Sequence, residues 1–213
     1  MNHLRLRLLL AALPILSIVT CAWASPHVYP PNCTVPAAAR AVDSQSGVPD
    51  YANGQFTIVI RDLANNVTNG ASVVLDLSAV SDVVLCSDQL DPDMLINCSA
   101  RTVRKFTNTL GQVTFTLLGS STGMADSPSP GQGKIFANGV LVGYFDVSTF
   151  DLDGTGGVGA NDLSVWLADF GSGLPHPRSD YDASGDVSAN DLSQWLGVFG
   201  AGGSAQSCGA GCP

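Results

Sequence analysis

The chain has 213 residues, of which 18 are acidic and 9 are basic, and its formal net charge is −9. This acidity argues against nucleic acid as a partner, because binding to phosphates needs basic patches. Every acidic residue is an aspartate, and the chain holds 23 glycines and 12 prolines. This composition favours strands and loops over helices in most of the chain.

Residues 1–24 have the pattern of a secretory signal peptide. Arg5 and Arg7 precede the apolar run "LLLAALPILSIVTCAWA", which ends in a small-x-small site before Ser25. A retained anchor is the alternative, although the run is short and contains Pro14. No later stretch is long and apolar enough to span a bilayer. The mature chain is therefore predicted to be secreted or at the cell surface, without a membrane span.

Residues 25–147 have the pattern of a β-rich domain. In "GQFTIVIRD", Phe56, Ile58 and Ile60 alternate with Thr, Val and Arg, and further short runs rich in Val, Phe, Tyr and Thr follow. Turn signals separate these runs, and the "NG" pair at 138–139 predicts a hairpin. The sequence predicts a mainly β fold, an antiparallel sandwich in which Phe56, Ile58 and Ile60 face the core.

The stretch "IVIRDLANNVTNGASVVLDLS", followed later by "NTLGQVTFTLLG", resembles bacterial immunoglobulin-like modules of the invasin type. In those modules a strand runs into a turn, a small-residue "GA" step opens the next strand, and a "G-x-x-T/A-F" strand follows. The resemblance implies an immunoglobulin-like sandwich that serves as a spacer or a binding surface.

Five cysteines follow the predicted cleavage site: Cys33, Cys86, Cys98, Cys208 and Cys212. An odd number leaves at least one thiol free, or paired with something outside the chain. Cys86 and Cys98 flank the polar loop "SDQLDPDMLIN", and we predict a disulfide between them, as suits an exported protein.

One segment of the chain occurs twice. "DLDGTGGVGANDLSVWL" begins at Asp151, and "DYDASGDVSANDLSQWL" begins 29 residues later, at Asp180. Numbered from its first aspartate, each copy has aspartate at positions 1, 3 and 12, a hydroxyl at 5, glycine at 6 and valine at 8. This is the spacing of an EF-hand-type calcium loop, in which oxygens surround the ion and the glycine allows a sharp turn. Two such loops in register predict two bound Ca²⁺ ions.

Each loop is followed by an apolar stripe with helical spacing. Each stripe predicts a short amphipathic helix. Since neither helix can bury two aromatic side chains alone, the two helices are predicted to pack against each other. Nothing helical is predicted before either loop, so each unit is a loop followed by one helix. The stripes consist of Leu163, Trp166, Leu167 and Phe170, and of Leu192, Trp195, Leu196 and Phe199.

A duplicated calcium loop followed by a single helix resembles the dockerin family. The resemblance covers Ser148–Gly200 and rests on both loops, on the "NDL" at their ends and on the duplicate spacing. It implies a dockerin-like module over 148–201 that docks onto a cohesin domain, often in polysaccharide-degrading systems. The family's calcium ligands carry over onto Asp151, Asp153, Thr155, Gly157 and Asp162, and onto Asp180, Asp182, Ser184, Asp186 and Asp191.

Loop positions 10 and 11 depart from the family. They help to select the cohesin and often carry a Ser/Thr pair, whereas both copies here have alanine and asparagine, at 160–161 and 189–190. The class of cohesin therefore stays open. Because the two copies are identical at these positions, two symmetry-related docking poses remain allowed.

The leading interpretation is an exported, non-catalytic protein, in which a sandwich carries a calcium-dependent docking module and a Gly-rich tail over 202–213. The tail is expected to be flexible unless its cysteines pin it. One alternative is a subunit of a polysaccharide-degrading complex with hydrolase or carbohydrate-binding activity in the β domain. The lack of glutamate argues against a glycosidase, whose acid is commonly Glu. The other alternative is a purely structural role, with the calcium module capping the sandwich within one chain.

Overall fold

The computed structural model describes residues 27–123, 132–201 and 210–212, so the predicted signal peptide and most of the predicted tail lie outside the described residues. The described part is mainly β, as predicted, with a nine-stranded sheet and a two-stranded sheet. The strands are β1 (Ala38–Val42), β2 (Ser44–Gln45), β3 (Val48–Pro49), β4 (Gln55–Val59), β5 (Ser72–Asp76), β6 (Val83–Leu85), β7 (Leu95–Asn97), β8 (Thr102–Phe106), β9 (Gln112–Ser121), β10 (Gly133–Ala137) and β11 (Val140–Thr149).

Helices are few. A single turn, α1 (Tyr51–Gly54), precedes β4, and α2 (Ala160–Ser172) and α3 (Ala189–Gly200) follow the two repeated loops, as predicted. Short 3₁₀ turns cover Pro30–Asn32 and Pro177–Ser179. Within the described ranges, no helix has the length and apolar character needed to cross a bilayer.

The large sheet has the strand order β4-β9-β1-β11-β10-β5-β8-β7, and β6 adds a further pairing to β9. Most neighbours are antiparallel, but β1 runs parallel to both β9 and β11. The prediction of a wholly antiparallel arrangement is therefore wrong at β1. Alternation along one strand does not reveal its neighbours, and a parallel neighbour is separated by a long stretch of chain, here about seventy residues to β9.

The predicted hairpin at residues 138–139 joins β10 to β11. Asn138 and Gly139 both have positive φ, 48° and 80°, which is the conformation that a two-residue turn of this kind requires. The hairpin prediction is confirmed.

A single apolar core receives side chains from strands throughout the sheet. Ile58 and Ile60 are fully buried in it, and Phe56 packs against it while partly exposed, so the predicted inward face of this segment is confirmed. Val73 and Leu75 of β5 belong to the same core. Strands far apart in the sheet order therefore contribute to one core.

A second buried cluster joins the sheet to the C-terminal segment. Val42 and Leu118 come from the sheet, and Trp166 and Trp195 come from α2 and α3. The other members are Cys86, Phe150, Leu152, Val158 and Tyr181. The tryptophans of both helices are therefore buried in one cluster with residues of the sheet and of both loops.

The predicted disulfide between Cys86 and Cys98 is wrong. Cys98 is bonded to Cys212, and Cys86 is itself disulfide-bonded elsewhere. The physical reason is that the chain end returns to the sheet, where the Cys212 amide donates to the Leu85 carbonyl at 2.7 Å. Closeness in the sequence suggested a bond between Cys86 and Cys98, but the end of the chain folds back onto the sheet and places Cys212 beside Cys98. Cys33 is the free cysteine of the described residues.

Candidate metal sites in two acidic loops

Both repeated loops begin where another element ends and close on the first turn of a helix. Asp151 lies two residues after the last residue of β11, and Asp180 directly follows the turn over Pro177–Ser179. Asp162 and Asp191 each occupy the third position of α2 and α3, respectively. Position 6 in each loop is glycine with positive φ, 74° at Gly156 and 94° at Gly185, where a side chain would be strained.

The first loop brings together Asp151, Asp153 and Asp162. One carboxylate oxygen from each lies within 4.8 Å of the others. Asp162 also ties the loop to itself, since its Oδ1 accepts from the amides of Leu152 (2.6 Å) and Asp153 (2.9 Å) and its Oδ2 accepts from Gly159 (2.6 Å). This carboxylate therefore caps α2 and fixes the loop at the same time.

Asp151 is the anomalous member of this group. Its side chain is 1% exposed, and neither carboxylate oxygen has a hydrogen-bond partner among the described residues. Burial and the nearby charge of Asp162 raise its pKa from 3.8 to about 6, and the nearby amides of Gly154 and Thr155 oppose the shift. A buried carboxylate without a partner costs free energy, and a cation between these oxygens would remove that cost.

The second loop brings together Asp180, Asp182 and Asp191 within the same 4.8 Å limit. Asp191 is fully buried and accepts from the amides of Tyr181 (2.7 Å) and Ser188 (2.9 Å), which repeats the role of Asp162. Asp180, unlike Asp151, accepts from the amide of Gly185 at 2.8 Å and from that of Ser184 at 3.1 Å. Burial raises the pKa of Asp180, and these two hydrogen bonds oppose the shift.

The remaining predicted ligands lie along the loops and outside these two carboxylate groups. Thr155 is exposed and donates through its hydroxyl to Asp153 at 2.9 Å, whereas Gly157 is buried. In the second loop the Ser184 hydroxyl donates to Asp186 Oδ1 at 3.0 Å, and both side chains are exposed. All these groups offer oxygen only, which is the donor set of a hard cation such as Ca²⁺, and the residues therefore fit that ion.

The two loops are joined directly. The Phe150 and Tyr181 rings stack with centroids 4.5 Å apart, and the Tyr181 hydroxyl donates to the carbonyl of Thr149 at 3.0 Å. Trp195 of α3 donates from Nε1 to the carbonyl of Phe150 at 3.2 Å. Tyr181, the second residue of the second loop, therefore contacts the end of β11, from which the chain enters the first loop at Asp151.

Residues that the sequence reasoning missed hold this arrangement in place. Arg40 of β1 donates to the Tyr181 carbonyl, at 3.0 Å from Nε and 2.6 Å from a terminal guanidinium nitrogen. Asp169 of α2 accepts from Arg178 (2.8 and 2.7 Å) and from the hydroxyl of Ser179 (2.6 Å), just before the second loop. In the sequence, the signal for these contacts was that Arg40 and Arg178 are isolated basic residues in a very acidic chain.

A Ser-His-Asp series lies at the end of α2, but its geometry is not catalytic. Ser172 Oγ lies 2.8 Å from His176 Nε2, and His176 Nδ1 lies 3.8 Å from Asp169 Oδ1, beyond hydrogen-bond reach. The Asp169 carboxylate is committed to Arg178 and Ser179. The Ser172 hydroxyl donates to the Asp169 carbonyl at 2.7 Å, so Ser172 closes the C-terminal end of α2.

Half of each predicted apolar stripe is exposed, whereas the prediction was that the two helices bury both aromatic side chains against each other. Trp166 and Trp195 are buried, but Phe170 and Phe199 are 50% and 44% exposed. The equivalent leucines, Leu167 and Leu196, are exposed to a similar extent, and Leu174 follows α2 in the same state. The tryptophans share one buried cluster with Val42 and Leu118 of the sheet, while the second half of each stripe faces outward.

The exposed halves of the two helices are built alike. Trp166 stacks on Phe170 with centroids 5.4 Å apart, and Trp195 stacks on Phe199 at 5.2 Å, with interplanar angles of 11° and 12°. Each buried tryptophan therefore supports an exposed phenylalanine in the same geometry.

No family model, no curated protein and no solved structure matches this chain.

Proposed function

We propose that the chain is an exported, non-catalytic protein whose segment 148–201 is a dockerin-like module that binds two Ca²⁺ ions and docks onto a cohesin-type domain. The remainder serves as an immunoglobulin-like sandwich that spaces or presents the module. Asp151, Asp153 and Asp162 would hold one ion, and Asp180, Asp182 and Asp191 the other. Thr155, Gly157, Ser184 and Asp186 supply the further oxygens along the loops.

The carboxylate of Asp151 carries the proposal. Its two buried oxygens lack partners among the described residues and lie beside two further carboxylates. Turns made of aspartate and glycine are usually solvated, so a buried, unpartnered aspartate at position 1 is not what a solvated turn produces. A bound cation gives these oxygens a partner.

The equivalent exposed faces of the two helices support docking. Phe170 and Phe199 with their leucines are repeated in the same geometry 29 residues apart, and loop positions 10 and 11 are exposed in both copies. An apolar patch supported from below by a buried ring is typical of a protein interface. The duplication allows one cohesin-type surface to engage either copy, in two poses.

A second candidate function is a structural one, in which the module caps the sheet within the chain. Val42 and Leu118 of the sheet pack with Trp166 and Trp195, and Arg40 bonds to the second loop. This observation favours a module that also stabilises the β part. The two functions are compatible, since the buried halves of the helices face the sheet and the exposed halves face solvent.

Docking is tested with the mature chain and a panel of purified cohesin-type domains, with calcium and with a chelator. We expect calcium-dependent binding that either single variant, Phe170→Ala or Phe199→Ala, reduces only about twofold, because the other pose remains. The double variant loses binding at least tenfold. Phe106→Ala, which truncates a 54% exposed phenylalanine on β8, is the matched control and leaves binding unchanged.

Two outcomes contradict docking. One is binding that survives in the chelator, and the other is a double variant that binds as tightly as the original chain. If no cohesin-type domain binds while calcium still raises the unfolding temperature of the chain, the structural role remains and the docking role is lost.

A further inference from the structure

Five neighbouring strands of the large sheet, β11, β10, β5, β8 and β7, have an outer face that carries large apolar side chains. Alternation along each strand defines this outer face, because the other side of the same strands fills the apolar core. The exposed face of an antiparallel sheet is usually polar. Here it contains four exposed apolar side chains, Leu95, Phe106, Leu141 and Tyr144, with exposed fractions of 51%, 54%, 36% and 55%. Such a patch is typical of a binding surface.

The strand register aligns the centre of the outer face into one row. Phe136 of β10 lies opposite Leu141 of β11 and Val74 of β5. Val74 in turn lies opposite Arg104 of β8, and Arg104 lies opposite Leu95 of β7. With neighbouring strands about 4.8 Å apart, the row is about 19 Å long and runs across the strands. A row of this length suits an extended ligand.

Exposed rings and polar groups flank this row on both sides. Tyr144 lies opposite Lys134 on one flank, and Phe106 lies opposite Ser72 on the other. An aromatic ring packs against the C–H face of a sugar ring, while polar neighbours bond the sugar hydroxyls. The surface therefore suits a chain of sugars. The polar neighbours on the two flanks are Ser72, Asp76, Asn97 and Thr102.

Two basic side chains of the outer face are not engaged by the protein. Neither Arg104 nor Lys134 forms a side-chain hydrogen bond or an ion pair within the described ranges, although the Arg104 guanidinium lies 5.5 Å from the centre of the Phe106 ring. Lys134 lies opposite Asp76, whose carboxylate accepts from the Ser78 amide at 2.9 Å. The other lysine and arginine residues after residue 24 each bind a carbonyl or a carboxylate: Arg40, Arg61, Arg101, Lys105 and Arg178.

The position of these two cations indicates what the outer face binds. The mature chain keeps all 18 acidic residues and only seven basic ones, so most of its surface repels an anionic ligand. Arg104 and Lys134, beside exposed rings, are the basic groups that such a ligand can reach. The same net charge disfavours a second copy of this chain as the occupant, because two acidic copies repel each other.

We propose that the outer face of β11, β10, β5, β8 and β7 binds a polysaccharide that carries carboxylates, as a chain of uronic acids does. Tyr144 and Phe106 contact the sugar rings, and Arg104 and Lys134 pair with the carboxylates. The sugar chain lies along the row and crosses the strands. This binding goes beyond calcium binding and docking and depends on neither, since none of these strands belongs to the two acidic loops.

Calorimetry with the mature chain and a hexamer of galacturonic acid tests the proposal. The titration is made in chelator, so that calcium bridges between the ligand and the acidic loops contribute nothing. The methyl-esterified hexamer is the matched neutral ligand, and hexa-aspartate offers carboxylates without sugar rings. At low salt we expect the acid hexamer to bind about tenfold more tightly than either, and added salt to reduce its advantage over the ester.

Two double variants separate the rings from the charges. Arg104→Gln with Lys134→Gln lowers the affinity for the acid hexamer to that for the ester, because the partners of the carboxylates are removed. Phe106→Ala with Tyr144→Ala weakens the binding of both hexamers about tenfold. Thermal unfolding in the same buffer shows whether each variant is folded as the original chain is.

Matched controls remove the same groups elsewhere. Arg61→Gln removes a positive charge just beyond the end of β4, at the other edge of the strand order from β7. Phe170→Ala with Phe199→Ala removes two exposed rings from the helices. Both controls leave the affinity for the acid hexamer unchanged.

Four results overturn the proposal. The first is no binding of the acid hexamer, and the second is equal binding of the acid hexamer and the ester or hexa-aspartate. The third is an equal loss of affinity in the Phe170→Ala, Phe199→Ala control, which moves the site to the helices. The fourth is a dimer in sedimentation that Phe106→Ala with Tyr144→Ala dissociates, since a second copy then covers the outer face. Each of these results leaves the calcium sites and docking standing, because those are measured with calcium and at other residues.

Discussion

The two repeated loops share a sequence pattern but differ in how completely the protein satisfies them. In the second loop, Asp180 accepts from the amides of Ser184 and Gly185, and its neighbours along the loop are exposed. In the first loop, Asp151 is closed off against the sheet and has no hydrogen-bond partner in the described part of the chain. The same spacing therefore gives one loop whose opening carboxylate is hydrogen-bonded within the loop and one whose opening carboxylate is not.

The last aspartate of each loop holds the two ends of that loop together. Asp162 and Asp191 make equivalent hydrogen bonds to the start of their own loops and to their own helix ends. The difference lies at position 1, where the first loop continues a strand of the sheet and the second follows a short 3₁₀ turn. The surroundings of the motif, and not its own residues alone, therefore decide whether its opening aspartate is hydrogen-bonded.

The largest effect expected is that of calcium itself. At a few hundred times Kd, one bound ion stabilises the native state by about 3–4 kcal/mol, and most of this is lost in Asp151→Asn. Urea unfolding with calcium and with chelator measures it. The control Asp93→Asn, in an exposed residue whose positive φ suits asparagine, keeps the full effect. An equal loss in Asp93→Asn would remove the link to the loops.

A dependence on pH in the chelated protein follows from the raised pKa values. Asp151 has a pKa of about 6 and Asp43 of about 8 in the folded chain, against 3.8 as the ordinary value. The folded state therefore holds protons that the unfolded state has released, and stability falls as pH rises from about 4 to about 8. The penalty from Asp151 alone is on the order of 2–3 kcal/mol.

Urea midpoints at pH 5 and pH 8 measure this dependence. Calcium should flatten it or reverse it, because the ion binds the ionised carboxylates. A chelated protein that gains stability between pH 5 and pH 8 would contradict the buried state of both aspartates.

Neutralising position 1 should stabilise the chelated protein more in the first loop than in the second. Asp151→Asn removes an uncompensated charge and should stabilise the chelated protein by about 1–2 kcal/mol. Asp180→Asn also removes a charge whose pKa burial raises, but it weakens the hydrogen bonds from the amides of Ser184 and Gly185, so the gain should be smaller. Thermal unfolding in chelator at pH 7.5 compares them. A gain for Asp180→Asn that equals or exceeds the gain for Asp151→Asn would mean that the loops do not differ as described.

The smallest effect concerns the two tryptophans. Trp195 Nε1 donates to the Phe150 carbonyl, whereas Trp166 Nε1 is buried with no hydrogen-bond partner in the described ranges. Both tryptophans lose similar packing on change to phenylalanine, but only Trp195→Phe also loses a hydrogen bond. Trp195→Phe should therefore cost about 1 kcal/mol more than Trp166→Phe. Chemical denaturation with calcium present checks the order, and a larger cost for Trp166→Phe would reverse the interpretation.

Much of this arrangement follows from local pattern. The alternation around Ile58, the hairpin at 138–139 and the two helices after the loops depend on neighbours within a few residues, and such features can be predicted from sequence. The three carboxylates of each loop belong to the same class, because the loop itself brings them together. Their spacing along the chain is enough to predict that they meet.

The features that could not be predicted all depend on long-range pairing. The parallel placement of β1 and the bond from Cys98 to Cys212 each join residues far apart along the chain. The burial of the two tryptophans is of the same kind, since Val42 and Leu118 of the sheet belong to their cluster. A periodic stripe shows which side of a helix is apolar, but not how much of that side another element covers.

The Cys98–Cys212 disulfide has a mechanical consequence. It closes a covalent ring that contains both loops and both helices, and its two cysteines are 114 positions apart in the sequence. The twelve residues from Gly200 to Cys212 span about 40 Å at most. While the bond is closed, the end of α3 therefore cannot move further than this from the Cys212 end of the ring, even if the packing of the two helices is lost. The C-terminal segment is then tethered to the sheet at both of its ends, at Thr149 and at Cys98.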